Sequence, residues 1–570
     1  MNISDPKEKR IFLSSDFEVE NWDQIEPYFK DLGDRSIEGA TELKKWFSDR
    51  SELESVISED AAWRYIHMTR DTGNEEYQKA YQFFISEIEP KIAPYEDLLN
   101  RKALEQKEIQ NLSDSAFEIL IRGLKKEVEI FREENIPINT ELQSESQKFG
   151  SISGAMTVEH EGEEITMQKA GTYLQETDRK LREEIYYKIS ERRIEDSETL
   201  NKLFDKLIEL RHQMAVNAGF ENFRDFMFAK LGRFDYSPDD CFEFHKSIKS
   251  EIVPLLEKIT LEKKEKLGYD KLKPWDSAVD PSGKEPLKPF KDGKELLDKS
   301  IECFERIDPY FGDCLNTMKE MGQLDLESRK GKAPGGYNYP LMETGVPFIF
   351  MNATSTLRDL VTLMHEGGHA IHSFLTRDLD LVYFKNTTSE VAELASMSME
   401  LISMDHWDLF FENEEDLKRA KKDHLEQVIE TLPWVAIIDK FQHWIYENPK
   451  HSSSERSEKW LEILSEFSSG VTDWTGQEKF KEYIWQKQLH LYEVPFYYIE
   501  YAMAQLGAVA VWKNYKENPE KGLEGYKNAL KLGYTKTIPE IYEAANIKFD
   551  FSKKYIGELS DFLVKEIEAI

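Results

Sequence analysis

Apolar positions recur at three- and four-residue steps along most of this chain, the period of one buried face of an α-helix. Tyr77, Ala80, Tyr81 and Phe84 make one such stripe, and Phe117, Leu120, Ile121 and Leu124 another, so the first 135 or so residues read as a polar helical region. Its His67 has no partner at ligand spacing and reads as packed or surface. The texture changes near Ile152. Residues 154–160 and 164–167 flank Glu161-Gly162-Glu163, which predicts a short hairpin. Helix resumes from Thr172, with Leu181, Ile185 and Ile189 on one stripe and Leu200, Leu203, Phe204 and Leu207 on the next. Residues 265–293 carry Pro274, Pro281, Pro286 and Pro289 and predict a loop or insertion rather than core. A second loop at 330–339, KGKAPGGYNY, lacks the spacing of a phosphate-binding loop. It leads into an apolar run at 346–351 that predicts a short strand, either internal or at a sheet edge where an extended peptide could add.

With 570 residues and 40% of them apolar, the chain can bury a large core, as one helical body or several domains. We expect a boundary near residue 135, with an N-terminal helical region at 1–135 and the remainder at 136–570. The balance of 75 basic to 109 acidic residues leaves a net charge of -34. Such a field repels a phosphate backbone and an anionic leaflet, so neither nucleic acid nor membrane is an expected partner. No apolar run reaches the roughly 18 residues of a membrane span, and the first residues lack the apolar core of a secretory signal. Cys241, Cys303 and Cys314 show no ligand spacing, which fits a reducing compartment. The expected location is cytoplasmic.

The chemistry concentrates in Leu357–Thr376, LRDLVTLMHEGGHAIHSFLT, at whose centre stands His365-Glu366-Gly367-Gly368-His369. Thr356 and Asp359 form a capping-box signature, and Leu360, Val361, Met364, Ile371 and Leu375 supply an apolar face. Four-residue spacing puts the two imidazoles one turn apart on one face, where they can share a Zn²⁺ ion. Glu366, next to the first histidine, can accept a proton from a water held there. Gly367 and Gly368 each cost such a helix about 1 kcal/mol relative to Ala. A close approach to the backbone, by a substrate strand or a neighbouring helix, would account for them.

A catalytic zinc site takes three protein ligands and an open position. The metzincin pattern fails, because His372 and Leu375 stand where its Gly and third His should be. The alternative is a carboxylate from the next helix, predicted at 387–403 with a capping-box start at Thr387 and Glu390. It offers Glu390, Glu393 and Glu400, with Glu393 and Glu400 on one face two turns apart. Spacing alone does not choose among the three. At least one of them could be a surface charge. Further on, His490, Tyr497, Tyr498 and Tyr501 cluster around Pro495, a residue suited to a helix start. Tyrosine clusters are more often core than catalytic. His212, His245, His406, His424, His443 and His451 stand alone and read as surface or packed.

The motif followed by Glu393-Leu-Ala-Ser396-Met-Ser-Met-Glu400 resembles the thimet oligopeptidase and oligoendopeptidase F family of zinc metallopeptidases, the oligoendopeptidase F-like branch in particular. The resemblance is strongest over residues 335–403 and again near His490. It departs at Gly367, where Phe is commoner in the family, and at Ala395, where Pro is frequent. It implies a mainly α, two-lobed fold of gluzincin type, with a small β-sheet beside a deep substrate channel. It implies His365, His369 and Glu393 as ligands of one Zn²⁺ per chain, with Glu366 as general base. Ser396, Glu400 and His372 become candidates for orienting the site. Tyr501 becomes the candidate oxyanion donor, and Tyr498 and His490 candidates for substrate binding. The expected function is a zinc endopeptidase acting on internal bonds of short unstructured peptides. A metallocarboxypeptidase on a similar scaffold, which would need a free C-terminus, is one alternative. A silent peptide-binding protein is another, disfavoured by the intact Glu366.

Overall fold

The computed structural model describes residues 10–112, 114–329, 331–333 and 335–570. Helix accounts for 71% of the chain, so helix packing sets the architecture. The first two predicted stripes lie on helix Glu75–Phe83 with the π-helical turn Phe84–Ile88 that continues it, and on helix Ser115–Ile130. Two large apolar cores form among the described residues, with two small clusters beside them. One gathers Leu13, Phe29, Trp46, Leu99 and Leu120 from the early chain, with Leu381 and Phe384 reaching in from much later. The other, far larger, runs from Phe149 to Leu563 and encloses the motif helix. The fold is thus the mainly α, two-lobed one that the resemblance implied. No described helix is long and apolar enough to cross a membrane.

The predicted hairpin forms as strand β1 (Thr157–His160) paired antiparallel with β2 (Glu163–Thr166). Its turn places Glu161 and Gly162 at φ of 52° and 83°, and glycine makes the second cheap. A three-stranded sheet contains β3 (Leu324–Glu327), β4 (Tyr337–Tyr339) and β5 (Phe348–Ala353) in the order β3-β5-β4. The apolar run is therefore the central strand and not an edge. Phe348, Ile349, Phe350 and Met351 are each 1% exposed or less, as a strand covered on both faces requires. Outer position passes to β4, the YNY segment. Lys330 and Pro334 of the loop before it lie outside the described residues.

Residues 265–293 are irregular as expected, yet they are not outside the core. Leu272, Trp275, Asp276, Val279 and Phe290 are all buried. The reason is Asp276, whose carboxylate accepts hydrogen bonds from Arg179, Arg182 and the Lys273 backbone. A buried carboxylate so paired pulls its segment inward.

The motif helix spans Leu357–Thr376, and its predicted capping box at Thr356 and Asp359 is formed. The next helix, here the glutamate helix, runs Ser389–Ser403. Its cap is Thr388, and the capping box expected from Thr387 and Glu390 does not form. Glu390 turns inward instead and accepts a hydrogen bond of 2.6 Å from the Tyr236 hydroxyl. The two glycines of the motif are explained by neighbouring side chains and backbone. A Cβ on Gly368 would stand 2.6 Å from Ser396 Cα and 2.7 Å from the Ala395 carbonyl oxygen. One on Gly367 would stand 2.4 Å from Cζ of Phe304, whose ring is fully buried on helix Gly293–Ile307.

The sheet is tied to the first lobe by Asp325 on β3. Its carboxylate accepts from Arg70 at 2.7 Å, from Arg329 at 2.6 and 2.8 Å, and from Lys332 at 2.9 Å. Arg70 ends the helix Ala40–Arg70, and the Lys332 side chain has no exposure. Burial alone would raise the Asp325 pKa, but the three cations outweigh it and hold the group well below the usual carboxylate range.

Two expectations follow. Gly368→Ala forces the glutamate helix backbone away and is expected to cost about 1–3 kcal/mol by overpacking. Gly367→Ala meets only the end of the Phe304 side chain and should cost less. Equal or reversed losses in thermal unfolding would contradict this packing account. Asp325→Asn strands a buried ammonium, a loss of about 3–5 kcal/mol near neutral pH. Because folding depresses the Asp325 pKa, its contribution is present above the unfolded value of about 3.9 and fades as pH falls through the folded one. Denaturant midpoints of wild type and variant should therefore differ at pH 7 and converge in acid.

Candidate functional site

The site is built where the motif helix crosses the glutamate helix. His365 and His369 present perpendicular rings with centroids 4.9 Å apart. Opposite them, Glu393 brings Oε2 to 3.2 Å from His365 Nε2 and 3.6 Å from His369 Nε2. Donor atoms around a tetrahedral ion with bonds of about 2.0–2.1 Å are separated by about 3.3 Å. These three therefore converge as ligands of one small cation would. Glu390 is 2% exposed and Glu400 8%, so neither is the surface charge that the sequence allowed for. Glu390 serves the packing network around Tyr236 and Arg233.

Partners outside this trio fix its geometry. Glu400 Oε1 accepts from His365 Nδ1 at 2.6 Å, which leaves Nε2 facing Glu393. His424, on the long helix Glu414–Glu447, stands 3.6 Å from the other Glu400 oxygen. Ser396 Oγ donates to Glu393 Oε2 at 2.9 Å, and the Tyr497 hydroxyl donates to Oε1 at 2.8 Å. Hydrogen bonds of this kind set the orientation of ligating groups.

Electrostatics divide the residues by role. Burial would raise the Glu393 carboxyl, but His369, His365 and the Tyr497 hydroxyl bring it down to about 2. It is an anion at any working pH. Burial lowers His369 to about 4, against the pull of Glu393, so its ring is neutral and has a lone pair to give. Burial works against a charge on His365 too, yet Glu393 and Glu400 overcome it and favour positive charge at that point. Glu366 behaves oppositely to Glu393. Burial and the nearby Glu393 and Glu400 raise it to about 7, with His365 opposing. Its backbone carbonyl accepts from Asn338 Nδ2 on β4 at 3.1 Å, which ties the motif to the outer strand.

The tyrosine group comes from the break between helices Leu489–Glu493 and Tyr498–Glu517. Pro495 lies in that break and not at the helix start, and Phe496 takes a φ of 67° there. His490 Nε2 lies 3.2 Å from the Tyr501 hydroxyl, and the Tyr498 ring packs on both. Tyr497 and Tyr501 line a cavity of about 460 Å³ together with His365, Glu366, His369 and Glu393. His372, also on its wall, is buried, and its Nε2 has no hydrogen-bond partner among the described residues. Three contributors were not singled out in the sequence. Tyr497 had only its nearness to Tyr501 as a signal, and His424 and Asn338 had none, since their partners are 24 and 28 residues away.

Comparison with known proteins places this geometry. Residues 172–560 match peptidase family M3, and residues 12–131 match the Peptidase M3 N-terminal domain. An oligoendopeptidase F homolog of Borreliella burgdorferi is 25% identical over 528 residues, 87% of this chain and 84% of that one. A solved structure of PZ peptidase A with an inhibitor superposes with a TM-score of 0.92 at 27% identity, covering 98% of this chain and 99% of that one. A solved oligoendopeptidase F superposes at 0.93 and 26% identity over the same shares. A match across more than half the chain decides the matter: the chain belongs to peptidase family M3 and is a metallopeptidase.

Proposed function

We propose that the chain is a zinc-dependent endopeptidase that hydrolyses internal bonds of short, unstructured peptides, with one catalytic Zn²⁺ per chain. What carries this reading is convergence. Two imidazoles, an anionic carboxylate, a buried carboxyl raised to about 7 and a phenol share one cavity. Two nitrogen donors and one oxygen donor with a side left open make a zinc set of the catalytic type. His365, His369 and Glu393 would hold the ion, which when bound supplies a Lewis acid and eases deprotonation of water.

The remaining work falls to the chain's own groups. Glu366 takes the proton of the attacking water and returns it to the leaving amine, a double task suited to a carboxyl near neutral pKa. Tyr501 donates to the developing oxyanion, and its orientation can be argued atom by atom. Trp434 Nε1 is a donor only, and at 3.2 Å it fixes the carbonyl end of the Gln488 amide. The amide nitrogen therefore faces His490 Nδ1 at 2.7 Å, where Nδ1 must accept. Burial lowers His490 to about 4, so the neutral ring has its one proton on Nε2 and donates it to the Tyr501 oxygen. The Tyr501 hydrogen is left for the cavity. Tyr498 packs on His490 and Tyr501 and holds them in place. Ser396, Tyr497, Glu400 and His424 hold the ligands, and the buried His372 lines the cavity wall beyond His369 on the motif helix. The outer strand β4 borders the cavity through Tyr337 and Asn338, with Gly336 just before it, and an extended peptide could add there. A cavity of about 460 Å³ has room for a short extended segment and none for a folded chain.

Glu366→Gln should retain zinc by metal analysis and lose about 10²–10⁴-fold in kcat on a blocked peptide. Cleavage at the wild-type rate would overturn the mechanism. Tyr501→Phe should leave zinc content and KM nearly unchanged and lower kcat by about 10²–10³-fold. An effect confined to KM would remove Tyr501 from the oxyanion role.

A further inference from the structure

A second set of metal-binding side chains lies outside that cavity, between the helix Pro238–Glu251 and the long helix Glu414–Glu447. Each helix offers two donors one turn apart, Cys241 with His245 and Asp439 with His443. The ligand atoms of Cys241, Asp439 and His443 all lie within 4.8 Å of one another. His245 Nε2 stands 2.8 Å from Asp439 Oδ2 and donates to it. None of the four is more than 4% exposed. Their surroundings are aromatic: Phe242, Phe496 and Phe228 pack on His443, and Phe467 on His245.

Such a place is costly for a carboxylate unless its charge is balanced. Asp439 receives one hydrogen bond, at Oδ2. Its Oδ1 has no hydrogen-bond partner among the described residues, nor has either ring nitrogen of His443. His443 Nε2 is 3.3 Å from Asp439 Oδ2 but is not aligned to bond it. Three orphaned polar atoms beside one buried thiol are far from the usual satisfaction of interior groups. A cation bound by Asp439 and by one nitrogen of His443 would satisfy two of the three at once. It would take the thiolate, the imidazole and the carboxylate as ligands, with the His245 hydrogen bond orienting the carboxylate. Thiolate and imidazole together select zinc or cobalt over magnesium and calcium.

We propose that Cys241, Asp439 and His443 form a second, structural site for a divalent ion of the zinc class. The site would clamp the two helices and hold Phe496, whose backbone N–H donates to Gln442 on the long helix, at the bend before Tyr497. This rests on side chains separate from His365, His369 and Glu393, so it stands or falls independently of the catalytic reading.

Full-length protein loaded with Zn²⁺ and desalted should contain about two equivalents by mass spectrometry, and His369→Ala about one. Cobalt separates the two sites more sharply, because only a thiolate ligand gives a sulfur-to-cobalt charge-transfer band in the near ultraviolet. That band should appear in Co²⁺-loaded wild type, persist in His369→Ala and vanish in Cys241→Ser, with Cys303 and Cys314 intact as controls. Loss of all bound metal in His369→Ala, or no such band in wild type and His369→Ala, would overturn the proposal. Those two proteins decide it even if Cys241→Ser fails to fold. A band surviving in folded Cys241→Ser would equally overturn it.

Discussion

The site depends on how closely two helices can approach. The backbone of the glutamate helix lies so near Gly368 that a single methyl group would touch Ser396 Cα. That distance brings Glu393 to within 3.2–3.6 Å of two imidazole nitrogens on the opposite helix. It also brings Ser396 to its bond with Glu393 and Glu400 to its bond with His365. A slightly wider crossing would leave the same residues in the same order along the chain and unable to meet on one ion. Glycine inside the helix is the propensity cost of that contact.

Within this frame, three carboxyl groups a few ångströms apart have different charges because their neighbours differ. Glu393 faces two imidazoles and two hydroxyl donors and stays ionised. Glu400 accepts from His365 and is likewise held below the ordinary range against its burial. Glu366 has no comparable donors and sits in the field of the other two, so its carboxyl rises. One anion to hold a cation and one carboxyl poised to exchange a proton are thus produced by placement alone.

Much of this was legible in the sequence, and the reason is periodicity. The motif helix announced its start, its apolar face and its paired imidazoles within twenty residues. Local signals of that kind survive folding because helical geometry converts spacing directly into position. The choice among Glu390, Glu393 and Glu400 was not legible from spacing, since it turns on Tyr236 and Arg233 claiming Glu390 from far upstream. His424 and Asn338 were invisible for the same reason. Their roles exist only across long-range contacts. The segment at 265–293 misled because its prolines and glycines describe backbone shape truthfully while saying nothing of the buried Asp276 that anchors it.

Gly367 and Phe304 divide one space between them. The Phe304 ring occupies the space into which a side chain at 367 would project. The aromatic volume beneath the two ligands comes from helix Gly293–Ile307, and a ring at 367 would fit only if position 304 gave up its own. Positions 304 and 367 then behave as one compartment with a shared occupancy limit. A residue's importance here cannot be assigned to one position, because what folding requires is a filled volume and not a particular donor of the ring.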